Sequence, residues 1–463
     1  MASATTAPSS RLSRAAARRA AARPVSALGP PPGPLMFRSL CLAGALACSA
    51  LPAAAQPIGD AAQDAPARVR DIVALGRGGT RLAAPTLESP FFSNPAHLTA
   101  EPGVRFTVLG VTTGLGGNVR ETYDFYDTTL GPAIDQGLDD LSDSDPERLR
   151  EIYDEALRIG RSQKTAQAAV LAPSVRVNRG AFAVGGGLFS SVVSRAVIDA
   201  RSGAGIPFID AYAQGDLLAP LAAAAPVPTG SLPVASVSVG ASATFLRRYV
   251  TAKAKPVDAI ATSGETVFLL AGNTVRAGLG AYARDVYVPG VDLGLSLTNI
   301  GGTVDYELDR EWVLDESDQA ELSAAERAAL EAGRVAEREA LTARFEERAA
   351  RPVFRAGAAY RVPLEASRQL PLADVLVALD YTSHSTSASE QSMQAGLRAG
   401  VSGTVGGVLG LSTGLSQGML SAGVGLRSRV ARLDFATYGV EDGRLLGQAQ
   451  RRAYALQLRF GRF

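Results

Sequence analysis

Histidine, cysteine and tryptophan are nearly absent from this sequence, which has two His, two Cys and one Trp among its 463 residues. Metal centres and histidine-dependent catalysis usually draw on clusters of His and Cys, so few such sites are open to this chain. No Walker loop, EF-hand or zinc-type spacing is present either. We therefore expect a protein that is not an enzyme and that uses no cofactor or metal.

Long apolar runs are also missing after residue 56. A helix that crosses a bilayer needs about 20 predominantly apolar residues. The nearest stretch, residues 217–226, is short and is interrupted by proline. A membrane protein built from helices is therefore excluded.

The N-terminal region has the features of an export signal. Residues 36–56 contain Arg38, then a short core of small apolar residues, then an A-x-A cleavage pattern. This pattern predicts cleavage between Ala55 and Gln56. Residues 1–35 are basic and contain a proline-rich run, so Met36 is the preferred start and an overlong basic leader is the alternative.

The charge of the exported chain argues against nucleic acid as a partner. Residues 1–55 hold six Arg and no acidic residue, so the remaining chain has 40 basic and 45 acidic residues, a net charge of −5. A nucleic-acid-binding protein normally carries a basic patch or a clear basic excess. Both cysteines, Cys41 and Cys48, also leave with the signal, which predicts a protein without disulfides.

What recurs after the signal is short segments that alternate or are rich in Gly and Ala. Each has about ten residues and is bounded by turn residues, as in transmembrane β-barrels. Fourteen such segments can be counted. They lie near 104–113, 172–180, 181–194, 206–214, 233–246, 274–286, 291–299, 353–363, 372–383, 392–402, 408–416, 419–428, 430–439 and 453–463.

The C-terminus indicates that these strands close into a barrel. In residues 453–463, the side chains of Tyr454, Leu456, Leu458 and Phe460 share one face and the chain ends on Phe463. A closed barrel pairs its first and last strands, which leaves no unpaired edge in lipid. A terminal aromatic is also the feature that the bacterial barrel-assembly machinery favours. Gly461 predicts a bulge, because Phe463 is out of phase with Phe460.

Two charged segments interrupt the strand pattern and predict helical insertions outside the membrane, near 138–170 and 309–351. In the first, Asp145 is the predicted N-cap and Pro146 the first helical residue. In the second, Ser323 and Glu326 form a predicted capping box ahead of a sparse apolar stripe. That helix is either a solvated face or a contact for a protein partner.

Two parts of the sequence resemble known bacterial barrels. Residues 74–100, a Gly-rich segment followed by Asn94, Pro95 and Ala96, resemble the start of mature FadL-like outer-membrane proteins. Residues 414–443 resemble TraF-like outer-membrane proteins, which are related in architecture to FadL and to PorV-type barrels. The resemblance implies a 14-stranded barrel with an N-terminal hatch. It also implies passage of hydrophobic molecules through a gap in the wall beside Asn94, Pro95 and Ala96.

The sequence thus predicts an all-β protein of the Gram-negative outer membrane. Residues 1–55 are the targeting segment, 56–102 the plug, and 103–463 a transmembrane antiparallel barrel of about 14 strands. The expected function is passage of hydrophobic small molecules, with membrane lipid and the assembly machinery as partners. One alternative is a non-transporting, PorV-like structural or adaptor barrel. Another is a lipase that uses His384.

Overall fold

The structure is a computed structural model that describes most of the chain beyond residue 70. The described ranges are 71–117, 119–136, 144–160, 164–199, 208–256, 266–313, 323–346, 352–362, 372–383, 396–441 and 450–462. The expected cleavage site at Ala55 and Gln56 lies outside these ranges, as do His384 and Phe463.

Fifteen strands form one antiparallel sheet in the described part of the chain. They are β1 (Gly103–Gly116), β2 (Lys164–Asn178), β3 (Ala183–Asp199), β4 (Phe208–Val227), β5 (Ser236–Pro256), β6 (Thr266–Arg284), β7 (Val291–Ile300), β8 (Asp305–Val313), β9 (Val353–Arg361), β10 (Leu372–Thr382), β11 (Leu397–Val405), β12 (Leu409–Ser416), β13 (Met419–Arg427), β14 (Ala431–Glu441) and β15 (Gln450–Arg462).

These strands close into a barrel with 14 positions. Neighbours in sequence pair around the wall, and β1 pairs with β15. β7 and β8 share one position, because β7 pairs with residues 277–283 of β6 and β8 with residues 266–273 of the same edge. Gly301 and Gly302, both at positive φ, lie at the break between them. The prediction of about 14 strands is confirmed.

The wall is apolar outside and polar inside. On β15, the outward side chains of Tyr454, Leu456, Leu458 and Phe460 are 40–50% exposed, whereas the inward Arg459 is 1% exposed. This arrangement is the reverse of a water-soluble protein, and it is favourable only where lipid surrounds the wall. The alternation predicted for the last strand is therefore confirmed, and the chain is a transmembrane β-barrel.

The bulge expected at Gly461 lies on the opposite strand. The β1–β15 ladder pairs Thr107 with Gly461 and then Leu109 with Phe460, so the extra residue is Val108 of β1. Val108 and Leu109 both face outward as a result. Gly461 allows the close approach, since a Cβ there would lie 2.2 Å from the Phe106 carbonyl oxygen.

The helices belong to the plug and to two insertions. The plug holds α1 (Ile72–Gly76), α2 (Ser89–Phe92) and a 3₁₀ turn (Pro95–Thr99). The first insertion holds α3 (Val119–Phe125), a π-helical turn (Tyr126–Leu130), α4 (Gly131–Gln136) and α5 (Pro146–Gly160), and the second holds α6 (Ala324–Glu346). Among the described residues, no helix is both long enough and apolar enough to cross a membrane.

Two helical insertions are confirmed, with different bounds from those expected. Helices begin earlier than expected in the first insertion, at Val119, and residues 164–170 belong to β2. In the second, residues 309–313 belong to β8. The capping prediction for α5 is confirmed, because Asp145 Oδ1 accepts a hydrogen bond from Arg148 N at 3.1 Å. Both insertions emerge at one end of the barrel, here called the helical end; Arg462 lies at the other, the terminal end.

Candidate functional site

The plug, residues 71–102, lies against the inner face of the wall. It approaches the wall at glycines, where the absence of a side chain leaves room for its backbone. A Cβ on Gly240 of β5 would lie 2.6 Å from Ala96 N, and one on Gly294 of β7 would lie 1.9 Å from the Leu82 carbonyl oxygen. Inward-facing glycines therefore fix where the plug fits.

Asn94 links the plug to β6. Its Oδ1 accepts a hydrogen bond from Ala96 N at 3.1 Å and so begins the 3₁₀ turn at Pro95. Its Nδ2 donates to the Ala281 carbonyl oxygen at 2.9 Å. Asn94 is fully buried, and both polar atoms of its side chain form hydrogen bonds within the protein. The three residues Asn94, Pro95 and Ala96 are thus positioned against β5 and β6.

His97 holds two parts of the plug together. Its Nε2 lies 2.8 Å from the Leu82 carbonyl oxygen and its Nδ1 lies 2.8 Å from Ser89 Oγ. Burial lowers the pKa of His97 to about 4, so the ring is neutral near neutral pH. Nε2 then donates to the carbonyl, and Nδ1 accepts from the hydroxyl. This histidine is a structural member of the plug.

Buried charges also attach the plug to the wall. Glu88 pairs with Arg459 of β15, which also donates to Asp434 Oδ2 at 2.9 Å. On the opposite side, Asp380 Oδ2 of β10 accepts from Arg81 N at 2.6 Å and from Leu82 N at 2.9 Å. The plug-to-wall contacts could not be predicted from the sequence, because Glu88 and Arg459 are 371 residues apart and Arg81 and Asp380 are 299 residues apart.

An aromatic cluster lies where the plug meets β3. The Phe92 and Phe189 rings are 4.8 Å apart in an edge-on arrangement, and the Phe91 and Phe189 rings are 5.7 Å apart. Leu98 and Leu171 belong to the same buried cluster, together with three alanines of the wall. The aromatic residues after Pro90 thus contact the wall at β3, two strands away from the β5 contact of Ala96.

At the same height, the hydrogen-bond ladder is interrupted across four neighbouring strands. Between β1 and β2 the pairing jumps from Thr107–Ser174 to Gly110–Leu171, and a register shift separates β2 from β3 there. We call this band the seam; it consists of residues 108–109, 172–173, 187–188 and 219–220. Gly187 pairs with Ser174 of β2, and the other seam residues are missing from the β1–β2, β2–β3 and β3–β4 ladder pairs.

The sequence explains the seam. Pro173 of β2 and Pro220 of β4 have no backbone N–H to donate, so each removes one hydrogen-bond donor from the wall at this height. Between them, β3 carries three consecutive glycines, residues 185–187, which weaken a strand interior. The aromatic cluster lies behind this band, since a Cβ on Gly185 would lie 3.2 Å from the Phe91 ring.

Two of the cavities beside the plug differ in position and in charge. The upper cavity, of about 90 Å³, lies near Phe91, Phe92 and Pro95 and is also lined by Asp216 and Arg248. The lower cavity, of about 470 Å³, lies between the plug and the wall and is lined by five arginines and three acidic residues. Those charged residues are Arg77, Arg284, Arg361, Arg427, Arg432, Glu101, Asp374 and Asp434.

The described residues provide little for catalysis. No group of three or more His, Cys, Asp or Glu among them could hold a metal ion. The two serines in Gly-x-Ser-x-Gly patterns, Ser412 and Ser416, lie on β12 and not at a strand-to-helix turn.

No family model and no curated protein matches this sequence. Among solved structures, the chain is similar to the Pseudomonas putida toluene transporter TodX, with 11% identity, coverage of 84% of this chain and 95% of TodX, and a TM-score of 0.41. The Ralstonia pickettii toluene transporter TbuX shows 12% identity, 84% and 97% coverage, and a TM-score of 0.42.

A different kind of barrel is also similar. The translocator domain of the autotransporter NalP from Neisseria meningitidis shows 9% identity, 89% and 100% coverage, and a TM-score of 0.36. At these identities and TM-scores, the likenesses carry no argument about family or function. The fold and the function proposed below rest on the chain's own contacts. The fold implied by the FadL-like resemblance, a 14-position barrel with an N-terminal hatch, is the fold observed.

Proposed function

We propose that this protein is an outer-membrane channel through which hydrophobic small molecules pass, leaving the lumen sideways through the seam. The seam carries the proposal, because it combines a weakened wall with an apolar plug surface directly behind it. Phe91, Phe92 and Leu98 present that surface beside β3. An apolar ligand at this place moves from aromatic side chains into lipid without meeting water.

The polar lower cavity supports a sideways exit over a straight one. A hydrophobic molecule that continued past the plug would face guanidinium and carboxylate groups such as Arg427, Arg432 and Asp434. Those groups gain nothing from an apolar neighbour and lose hydration. At the seam the ligand contacts Phe91, Phe92 and Leu98 beside the Asp216–Arg248 pair, which already satisfies its own charges.

In this proposal, the predicted site residues anchor the plug to the wall. Asn94, Pro95 and Ala96 dock on β5 and β6, and they hold the connected aromatic residues against β3. Their role in transport is therefore to position Phe91 and Phe92 beside the exit. Export through residues 1–55, cleavage between Ala55 and Gln56, and assembly through Phe463 belong to the same proposal.

Closing the seam tests the proposal. In Pro173→Val/Pro220→Val, each strand regains a backbone donor, so we expect a more continuous ladder and a drop in hydrocarbon uptake. The assay is uptake of a radiolabelled monoaromatic hydrocarbon by Gram-negative cells that express the protein, with a radiolabelled sugar as the polar comparison. Pro226→Val is the matched control, because it makes the same change in β4 beyond the last β3–β4 pair, Ala183–Ala224, and outside the seam.

Two results would contradict the proposal. One is hydrocarbon uptake that does not depend on expression of the protein. The other is equal entry of the sugar, which would mean an open polar pore.

N-terminal sequencing of the protein from outer membranes tests the start at Gln56.

The adaptor alternative gains no support from α6. A partner-binding helix would present an apolar stripe to its surroundings. The two large apolar residues of its C-terminal half, Leu341 and Phe345, are instead buried against the barrel wall.

A further inference from the structure

The second insertion ends in a buried apolar cluster at the helical end of the barrel. Leu341 and Phe345 of α6 pack with residues of β4, β5, β6 and β8. The cluster consists of Tyr212, Val250, Phe268, Leu270, Val304, Tyr306, Leu341 and Phe345. The Phe345 ring lies 5.8 Å from the rings of both Tyr212 and Tyr306.

The face that α6 covers is the inner one. Along β4, Tyr212 is on the same side as Asp216, and along β5, Val250 is on the same side as Arg248. Asp216 and Arg248 line the upper cavity inside the barrel. The apolar side of α6 therefore packs on the luminal side of the wall and not on the lipid side.

The wall is tall at this place. β4, β5 and β6 have 20, 21 and 19 residues, whereas β12 and β13 have 8 and 9. Twelve extra residues correspond to roughly 40 Å of strand. Tyr212, Val250 and Phe268 lie near the helical-end termini of the long strands, so α6 packs where the wall rises above the rim of the short ones.

A continuous row of side chains joins α6 to the upper cavity. Below Phe345, the Tyr212 hydroxyl donates to Gln214 Oε1, and Gln214 Nε2 donates to Asp216 Oδ2 at 3.1 Å. Asp216 in turn accepts two hydrogen bonds from Arg248 at 2.8 and 3.0 Å. Tyr212 and Asp216 are four residues apart on one strand, which is about 13 Å.

We propose that α6 is a lid that closes the helical-end entrance to the upper cavity and must move for a ligand to enter. This inference rests on the proposed function, since it describes the entry step of the same passage. The lid is held at its rim by Arg334–Glu311 and by Lys253–Glu337 at 2.6 Å. These pairs are partly exposed, so they contribute little to closure. The apolar contacts of Leu341 and Phe345 are stronger, and a hydrophobic ligand can replace them as it enters.

A reversible tether tests the lid. Glu311→Cys/Arg334→Cys places one thiol on β8 and one on α6, and no other cysteine lies beyond residue 48. A bis-maleimide with an internal disulfide links the two, and a reductant cuts the link. The matched control is Glu331→Cys/Arg334→Cys, which links two positions one turn apart on α6 and leaves the helix free of the wall.

We expect the β8–α6 tether to lower hydrocarbon uptake about tenfold or more, as a shift to a closed population requires. Uptake should return after reduction, and the tether within α6 should leave it unchanged. Equal uptake by the tethered and reduced protein would overturn the lid. Absence of expression-dependent uptake even in the untethered protein would instead overturn the proposed function. A shift in gel mobility on boiling shows that each variant retains its barrel.

Discussion

Replacing Gly280 by alanine is the sharpest test of how the plug is held. Gly280 lies on the inner face of β6, and its added Cβ would lie 2.0 Å from Asn94 Oδ1 and 2.9 Å from Pro95 Cδ. Ordinary contacts of this kind are 3.4–4 Å. The turn at Pro95 must therefore move away from the wall.

The size of the effect follows from two terms. Overpacking a close contact costs about 1–3 kcal/mol, and loss of the Asn94–Ala281 hydrogen bond costs about 1 kcal/mol. Together they weaken plug docking by about 2–4 kcal/mol, which corresponds to a roughly 30- to 700-fold larger open population. The barrel ladder is expected to remain, since the backbone of β6 can keep its pairs.

Hydrogen exchange measured by mass spectrometry reads this population directly. We expect amides of residues 88–102 to exchange faster in Gly280→Ala by the same factor, with little change in β12 to β15. Gly410→Ala is the control, because its nearest contact, the Gly425 carbonyl oxygen, is 3.8 Å away. Equal protection of the plug in both variants would refute the docking of Asn94 on β6.

Two further measurements probe the plug. Because burial lowers the pKa of His97 from 6.5 to about 4, the folded plug binds fewer protons than the unfolded one between these values. Plug stability should be complete above pH 6.5 and fall by about 3 kcal/mol as the pH approaches 4. His97→Gln should flatten this pH dependence in the same exchange experiment. Glu88→Gln should weaken the plug by about 1–3 kcal/mol, because Arg459 loses one of its two buried carboxylate partners and keeps Asp434. Glu88→Gln/Arg459→Met should recover part of the loss, and no recovery would argue against the pair.

The fold class could be predicted because the lipid around a barrel requires an alternation of apolar and polar residues that is visible within each strand. Outward side chains must be apolar and inward ones small or polar, so Leu458 and Arg459 have opposite character although they are adjacent. Most strands were located in this way. The predicted strands do not include residues 217–226, an apolar stretch that proline interrupts, although these residues belong to β4. Alanine-rich wall segments lack strong alternation, which explains the error.

β8 was missed for a different reason. Residues 305–313 carry charges that matched the insertion after them, and they were assigned to it in part. In the structure they extend the wall beside β6, with Glu311 paired to Arg334 of α6. β8 can carry charged residues because it lies near the helical end, above the apolar band of the wall. A lipid-facing pattern is not required there.

The site could be predicted only where one short segment carries it. Asn94, Pro95 and Ala96 were found through a resemblance, and their proposed role remains a prediction. The seam depends on Pro173 and Pro220, which no sequence spacing brings together. Register decides that they lie at one height, and register in this region is set by pairing over the whole barrel.

The seam and the lid place the two openings of the proposed passage on the same long-stranded side of the barrel. The seam crosses β1 to β4, and α6 packs on β4, β5, β6 and β8, so β4 belongs to both. Leu218 of β4 lines the upper cavity two residues beyond Asp216 and directly before the seam residues 219–220. An inward row on a single strand therefore runs from the lid through the cavity to the exit. A ligand that displaces Phe345 meets apolar contacts at Leu246, Leu218 and Phe92, beside the paired charges of Asp216 and Arg248.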